Sequence, residues 1–158
     1  MELYSRQKAV AVELLDQDRL RAEATMQDNV HEITVRLEYD LGRQEIVAAD
    51  VEFIRFPWDV CAEVAGLMDR LIGKTIGRGL RREVQSLVGG CDGCSHVGDL
   101  VMEALLGIIQ AQYRIKYQKM SPKEREEAVK SDLKSTCRAY TLTDRKPIPR
   151  GQWVRGAV

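Results

Sequence analysis

The chain has 158 residues, 44% hydrophobic and 30% charged, a composition typical of one globular domain with a hydrophobic core. Its 24 basic and 24 acidic residues leave no basic excess of the kind that dedicated nucleic-acid-binding proteins carry. No apolar run reaches the roughly 20 residues that a membrane-spanning helix needs. We therefore predict that the protein binds neither nucleic acid nor membrane.

The N-terminus lacks the apolar core of a signal peptide, which predicts a cytoplasmic protein. Four cysteines in a reducing compartment favour metal or redox chemistry over structural disulfides. Composition does not discriminate between a monomer, a homo-oligomer and a subunit that binds another protein, so the hypothesis of a protein partner or homo-oligomer stays open.

The first third of the chain predicts an antiparallel β-meander. Residues 8–14, 20–26, 31–39 and 45–56 are short segments of strand-forming or alternating residues, and polar turns separate them. Short connections make consecutive strands neighbours in the sheet. The alanine-rich stretch over residues 8–24 also permits a helix, which is the alternative interpretation.

The rest of the chain predicts helices. Apolar residues recur at helical spacing over residues 60–72, 80–88 and about 97–117. Ser121, Pro122 and Glu124 form a capping-box pattern that begins a fourth helix, ending near residue 134. Trp58 is expected to cover the sheet edge.

The order of the elements predicts an α+β fold, with about four strands followed by three to four helices on one face. One domain is expected over residues 1–134, with an irregular tail over 135–158.

Two thiols and one of only two histidines lie within six residues, at Cys91, Cys94 and His96, just before the longest predicted helix. Cys61 lies in the first turn of an earlier helix, and His31 opens the third strand. Thiolate and imidazole are ligands that Zn²⁺ and iron–sulfur clusters prefer. We predict a metal site, zinc or iron–sulfur, formed by Cys61, Cys94 and His96, with His31 or Cys91 as the fourth ligand.

Other interpretations stay open. Cys61 also fits a small buried side chain, and His31 also fits a surface position on a strand. The C-x-x-C spacing of Cys91 and Cys94 permits thiol redox chemistry or sulfur transfer. A hydrolase with a metal-activated water and a non-catalytic, partner-binding subunit are further alternatives. Cys137 lies in the predicted tail and is assigned no role.

The order of these motifs resembles an uncharacterised bacterial family known as domain of unknown function 2889. Its members have a β-meander with Asp-x-x-His, then Trp-x-x-Cys at a helix start, then Cys-[Ser/Thr]-His before a long helix. The residues that match here are Asp28 and His31, Trp58 and Cys61, and Cys94-Ser95-His96. The resemblance covers most of residues 8–115 and implies positions for a site without implying a reaction.

The chain is more distantly similar to the NifU/IscU-type iron–sulfur scaffold proteins. Cys61, Gly73-Lys74-Thr75 and Cys94-Ser95 match that family in kind, which implies a similar fold and site location. The family's first cysteine has no counterpart here, and its histidine precedes the Cys-Ser pair whereas His96 follows it. A ligand set of His31, Cys61, Cys94 and His96 suits mononuclear Zn²⁺ better than an all-cysteine cluster.

Overall fold

The structure, a computed structural model, describes residues 1–142. Within them, antiparallel strands form one sheet in the order β1 (Arg6–Leu14), β2 (Arg19–Asp28), β3 (Glu32–Asp40) and β4 (Glu45–Arg55). The predicted meander is confirmed. The helical alternative for residues 8–24 is wrong, because residues 6–14 pair one by one with residues 20–28. Buried and less buried side chains alternate over residues 19–28, as in a strand with one face in the core.

One face of the sheet forms the core and the other is polar. Buried residues of β2 and β3 lie directly opposite one another, as in the pairs Met26–Ile33 and Ala24–Val35. On the polar face, Arg36 forms ion pairs with three carboxylates, those of Glu23, Asp50 and Glu52. Exposed ion pairs of this kind contribute little to stability. The apolar face therefore supplies most of the free energy that stabilises the sheet.

Helices follow the strands, so the predicted α+β fold is confirmed. A 3₁₀ helix covers Asp59–Leu71, and the α-helices are α1 (Leu80–Leu87), α2 (Ser95–Gln118), α3 (Pro122–Asp132) and α4 (Arg138–Thr141). The capping box that begins α3 is confirmed, because Ser121 and Glu124 exchange both backbone-to-side-chain hydrogen bonds. None of the helices within residues 1–142 combines the length and apolarity needed to cross a membrane.

Two details differ from the sequence predictions. Trp58 does not cover the sheet edge: it is 70% exposed at the start of the 3₁₀ helix. The part of the tail predicted to be irregular contains the one-turn helix α4, closed by the bond from the Leu142 amide to the Arg138 carbonyl. The remainder of the predicted tail, residues 143–158, lies outside the described residues.

The chain groups into two compact units, Met1–Tyr113 and a second that begins at Arg114. The first contains the sheet, the 3₁₀ helix, α1 and most of α2. In the second, Asp132 of α3 accepts hydrogen bonds from Lys116 and from the Tyr117 hydroxyl at the end of α2. The predicted single domain over residues 1–134 stays a prediction.

Gly107 lets α2 approach β1 closely. A Cβ atom at this position would lie 2.9 Å from Val12 Cγ2 and 3.0 Å from Val10 Cγ2. Nearer the start of α2, Asp99 forms an ion pair with Lys8 of β1. Because α2 follows β1 in this way, the first turn of the helix lies beside the beginning of the strand.

Candidate functional site

The candidate site lies at one end of the sheet. There β1 begins and β2 ends, with Arg6 paired to Asp28, while β3 begins and β4 ends, with Glu32 paired to Arg55. Helix α2 starts at the same end, where a ring nitrogen of His96 contacts Arg6. Residues distant in sequence therefore meet at the open ends of four strands and the N-terminus of one helix.

Asp28 is the centre of this cluster, and its side chain is only 1% exposed. Oδ1 accepts hydrogen bonds from the backbone amides of Val30 and His31, at 2.8 and 2.7 Å. Oδ2 accepts from the Tyr4 hydroxyl at 3.0 Å and from Arg6 Nε and Nη2 at 2.9 and 2.7 Å. Burial alone would raise the pKa of Asp28, but these bonds outweigh it and hold the pKa far below its usual range. The carboxylate is charged at neutral pH.

Asp28 also fixes the orientation of His31. Its Oδ1 atom lies 3.2 Å from His31 Nδ1. Because the charged carboxylate can only accept, Nδ1 carries the proton, and a neutral ring then has an unprotonated Nε2. A carboxylate that holds one nitrogen of an imidazole is the arrangement that orients metal-binding and proton-accepting histidines.

His96 lies against His31, with ring centroids 4.3 Å apart and the planes inclined by 53°. Arg6 Nη2 is 3.1 Å from His96 Nε2. A guanidinium group can only donate, so Nε2 of His96 is the acceptor and Nδ1 carries the proton. Burial lowers the pKa of His96, and its neighbours His31 and Arg6 lower it further. The site therefore holds two adjacent imidazoles, of which His96 favours the neutral form.

We expect the protonation of His96 to contribute to acid destabilisation of the metal-free protein. Unfolded, His96 takes up a proton near its ordinary pKa of 6.5, whereas the folded state resists protonation until a lower pH. The unfolded state thus binds more protons as the pH falls below 6.5, and the free energy of unfolding decreases through that range. The free energy of unfolding of His96→Gln, whose side chain cannot titrate, should decrease less over the same range. Urea unfolding between about pH 7.5 and 5 measures both slopes, and equal slopes would contradict the assignment.

Cys61 and Cys94 lie at the starts of helices. Cys61 is half-buried in the first turn of the 3₁₀ helix, and Cys94 is half-buried just before α2. Cys91 is exposed in the preceding loop, and Cys137, also exposed, precedes α4. All four are free thiols.

The loop that carries Cys91 and Cys94 is held by close backbone contacts. A Cβ atom on Gly93 would lie 2.3 Å from the Val88 carbonyl oxygen, and the same oxygen accepts a hydrogen bond from the Cys94 amide at 2.9 Å. Gly90 has a φ of +66°, in the left-handed region that glycine adopts without strain. This loop fixes where Cys94 and the first turn of α2 lie.

The structure brings two of the predicted ligands, His31 and His96, into contact. Within residues 1–142, no group of three or more histidine, cysteine, aspartate and glutamate side chains is arranged so that it could hold a metal ion. The donor chemistry fits an imidazole pair, since Asp28 orients one ring and the other is neutral. The contact from Arg6 to His96 Nε2 opposes metal binding, because it occupies the nitrogen that would bind the ion. The full ligand set of Cys61, Cys94, His96, His31 and Cys91 stays a prediction.

Sequence reasoning missed two residues of this cluster, Tyr4 and Arg6. Asp28 was identified only as part of a motif. The available signal was the hairpin register, because pairing of β1 with β2 places Arg6 directly opposite Asp28. Two opposite charges that face each other across a hairpin indicate an ion pair.

Comparison with known proteins gives one family and no individual relative. The family model described as "Protein of unknown function (DUF2889)" matches residues 5–110. No curated protein and no solved structure matches the chain, and the resemblance to the NifU/IscU-type scaffold proteins gains no support. The matched segment includes Asp28, His31, Cys61, Cys94 and His96. Since it covers well over half of the 158 residues, this chain belongs to the DUF2889 family of proteins of unknown function.

Proposed function

We propose that the protein binds a transition-metal ion, most readily Zn²⁺, through His31 and His96 together with the thiolates of Cys61 and Cys94. Mixed nitrogen and sulfur ligands are typical of mononuclear zinc. An iron–sulfur species with histidine ligands, and Cys91 as a substitute thiolate, are variants of the same proposal. The proposal requires reduced thiols, in keeping with the cytoplasmic location that the sequence predicts.

The observation that supports it is the pair of imidazoles backed by a buried carboxylate. Asp28 binds Nδ1 of His31, so that Nε2 of the neutral ring has a lone pair available for a metal ion. Histidine ligands commonly have such a partner, which fixes the tautomer and raises the basicity of the ligating nitrogen. The second ring lies 4.3 Å away, centroid to centroid. Burying a charged carboxylate costs free energy. A buried carboxylate that orients one histidine beside another is therefore better explained by a function than by packing alone.

The thiolates come from segments that start at the same end of the sheet. Strand β4 ends at Arg55, whose guanidinium donates to the Asp28 carbonyl oxygen at 2.6 Å, and Cys61 follows six residues later. Cys94 precedes His96 by two residues. Binding of an ion requires Arg6 to leave His96 Nε2 and the two thiols to move towards the imidazoles. Arg6 is 30% exposed, so its side chain has room to turn into solvent.

The test is a Co²⁺ titration of protein purified without a histidine tag and stripped with a chelator. Co²⁺ reports tetrahedral coordination through its visible absorption, and thiolate ligands add a charge-transfer band. We expect saturation at one ion per chain. His31→Gln and His96→Gln should each weaken binding by at least the roughly 10–100-fold that loss of an outer-shell partner causes. Cys61→Ser and Cys94→Ser should reduce the charge-transfer band.

Cys137→Ser is the matched control, because it removes an exposed thiol that lies in a different compact unit. Its Co²⁺ spectrum and affinity should equal those of the unsubstituted protein. The proposal is wrong if no saturable binding occurs, or if the histidine variants bind as tightly as the control.

A second candidate is thiol redox chemistry through Cys91 and Cys94. It is favoured by the exposure of Cys91 beside a half-buried Cys94 at the start of a 24-residue helix. Counting titratable thiols before and after mild oxidation decides it, since disulfide formation removes two thiols. A count that does not change removes this candidate.

A further inference from the structure

Arg6 occupies the lone pair of His96 that a metal ion would use. Its Nη2 atom lies 3.1 Å from His96 Nε2 and 2.7 Å from Asp28 Oδ2, so that one nitrogen joins the imidazole to the carboxylate. A guanidinium group stays charged in proteins and can only donate hydrogen bonds. Arg6 and a metal ion therefore cannot bind Nε2 of His96 at the same time.

Several contacts hold the guanidinium of Arg6 in this position. The hairpin register places Arg6 directly opposite Asp28. Arg6 Nε donates a further hydrogen bond to Asp28 Oδ2 at 2.9 Å. On another side, Arg6 Cζ lies 5.5 Å from the centroid of the Tyr4 ring, within the range of a cation–π interaction. The contact with His96 is therefore part of the folded arrangement of the cluster.

Arg6 also balances the charge of the cluster. Its positive charge neutralises the buried carboxylate of Asp28 and lies beside the imidazole of His96, where it repels a cation. Without Arg6, the carboxylate still accepts hydrogen bonds from two backbone amides and from the Tyr4 hydroxyl. Release of Arg6 would thus free the lone pair and leave a net negative charge, and both changes favour a divalent cation.

We infer that Arg6 limits the affinity of the proposed metal site, as a competitor that belongs to the chain itself. The inference rests on the metal-binding function proposed for His31 and His96. Only molecules in which Arg6 has left His96 can bind the ion, so the apparent affinity is reduced by that fraction. Arg6 therefore acts in the opposite direction to the ligands: loss of a ligand weakens binding, whereas loss of Arg6 strengthens it.

A Co²⁺ titration of Arg6→Gln tests the inference in the full-length protein, purified without a histidine tag and stripped with a chelator. Glutamine removes both the positive charge and the forked donors of the guanidinium. Because hydrogen bonds to charged groups are worth about a factor of ten or more in an equilibrium constant, we expect Arg6→Gln to bind Co²⁺ at least about tenfold more tightly than the unsubstituted chain.

Lys8→Gln is the matched control. It removes one positive charge from the same face of β1, two residues further along, where Lys8 pairs with Asp99. Exposed charges of this kind are screened by solvent and salt, so its Co²⁺ affinity should stay within about threefold of that of the unsubstituted chain.

Arg6→Lys is a second variant in case Arg6→Gln does not fold, which circular dichroism shows. Lysine keeps a positive charge for Asp28 but lacks the fork with which the guanidinium contacts two partners. It should also bind Co²⁺ more tightly than the unsubstituted chain, by a smaller factor than Arg6→Gln.

The outcomes separate this inference from the proposed function. If the unsubstituted chain binds Co²⁺ and neither Arg6 variant binds it more tightly, the inference is wrong and the proposed function stands. The inference is also wrong if Lys8→Gln gains as much as Arg6→Gln, because loss of any nearby positive charge then explains the gain. If only the Arg6 variants bind Co²⁺, the inference holds and the proposed function of the unsubstituted chain fails. Absence of binding in every protein contradicts both.

Discussion

Asp28→Ala is expected to lower the free energy of unfolding by about 3 kcal/mol or more, as removal of one partner from a buried ionic network does. The substitution leaves the amides of Val30 and His31 without their acceptor. It also leaves the Arg6 guanidinium without its buried counter-charge. Urea unfolding followed by circular dichroism measures the loss. Asp28→Asn, which keeps the shape and one acceptor oxygen, should lose less.

Asp40→Ala is the matched control for this prediction. Asp40 accepts hydrogen bonds from two backbone amides, those of Gly42 and Arg43, in an equivalent turn between β3 and β4. Asp40 is only half-buried and these two hydrogen bonds are exposed to solvent, so its loss leaves amides that water can reach. We expect a much smaller destabilisation. Equal losses at the two positions would show that Asp28 is an ordinary turn residue.

Gly93→Ala is expected to destabilise the protein by roughly 2 kcal/mol and to displace the loop before α2. The added methyl group would overlap main-chain atoms, which cannot rotate away as a side chain can. The added Cβ would lie 2.3 Å from the oxygen and 2.6 Å from the carbon of the Val88 carbonyl. These atoms belong to the main chain, so the loop itself must move. Cys94 and His96 follow directly, and their positions should change with it.

Two measurements check the Gly93 prediction. Urea unfolding gives the stability, and the NMR signals of the His31 and His96 rings report any change in their contact. Gly66→Ala is the control, because a Cβ at Gly66 has no atom within 4 Å. It should change neither measurement appreciably. If Gly93→Ala behaves in the same way, the loop is more adaptable than its close contacts indicate.

Local patterns predicted most of the fold. Alternation over residues 31–39 identified β3, and the Ser121–Glu124 capping box located the start of α3, because both signals arise within a few residues. Trp58 was predicted incorrectly, since its exposure depends on where the chain goes after β4. For the same reason, the sequence did not show that the segment over residues 59–71 forms a 3₁₀ helix.

The candidate site was predicted only in part. Motif order singled out His31 and His96, and the structure brings their rings into contact although they are 65 positions apart. Arg6 and Tyr4 escaped notice because their role comes from strand register and from the buried carboxylate they share. The spacing of residues along the sequence does not give the distances between thiols and imidazoles in space. The set of metal ligands therefore stays a hypothesis that experiment must test.

Arg6 links the buried carboxylate of the cluster to one of its two imidazoles. Its guanidinium supplies positive charge to Asp28 and a donor to His96, so both groups are satisfied with no ion bound. We therefore expect the polypeptide to fold without metal, unlike small zinc domains that unfold when the ion is removed. If an ion binds as proposed, it must displace Arg6 from His96, so we expect its binding to be reversible and to depend on the concentration of free ion.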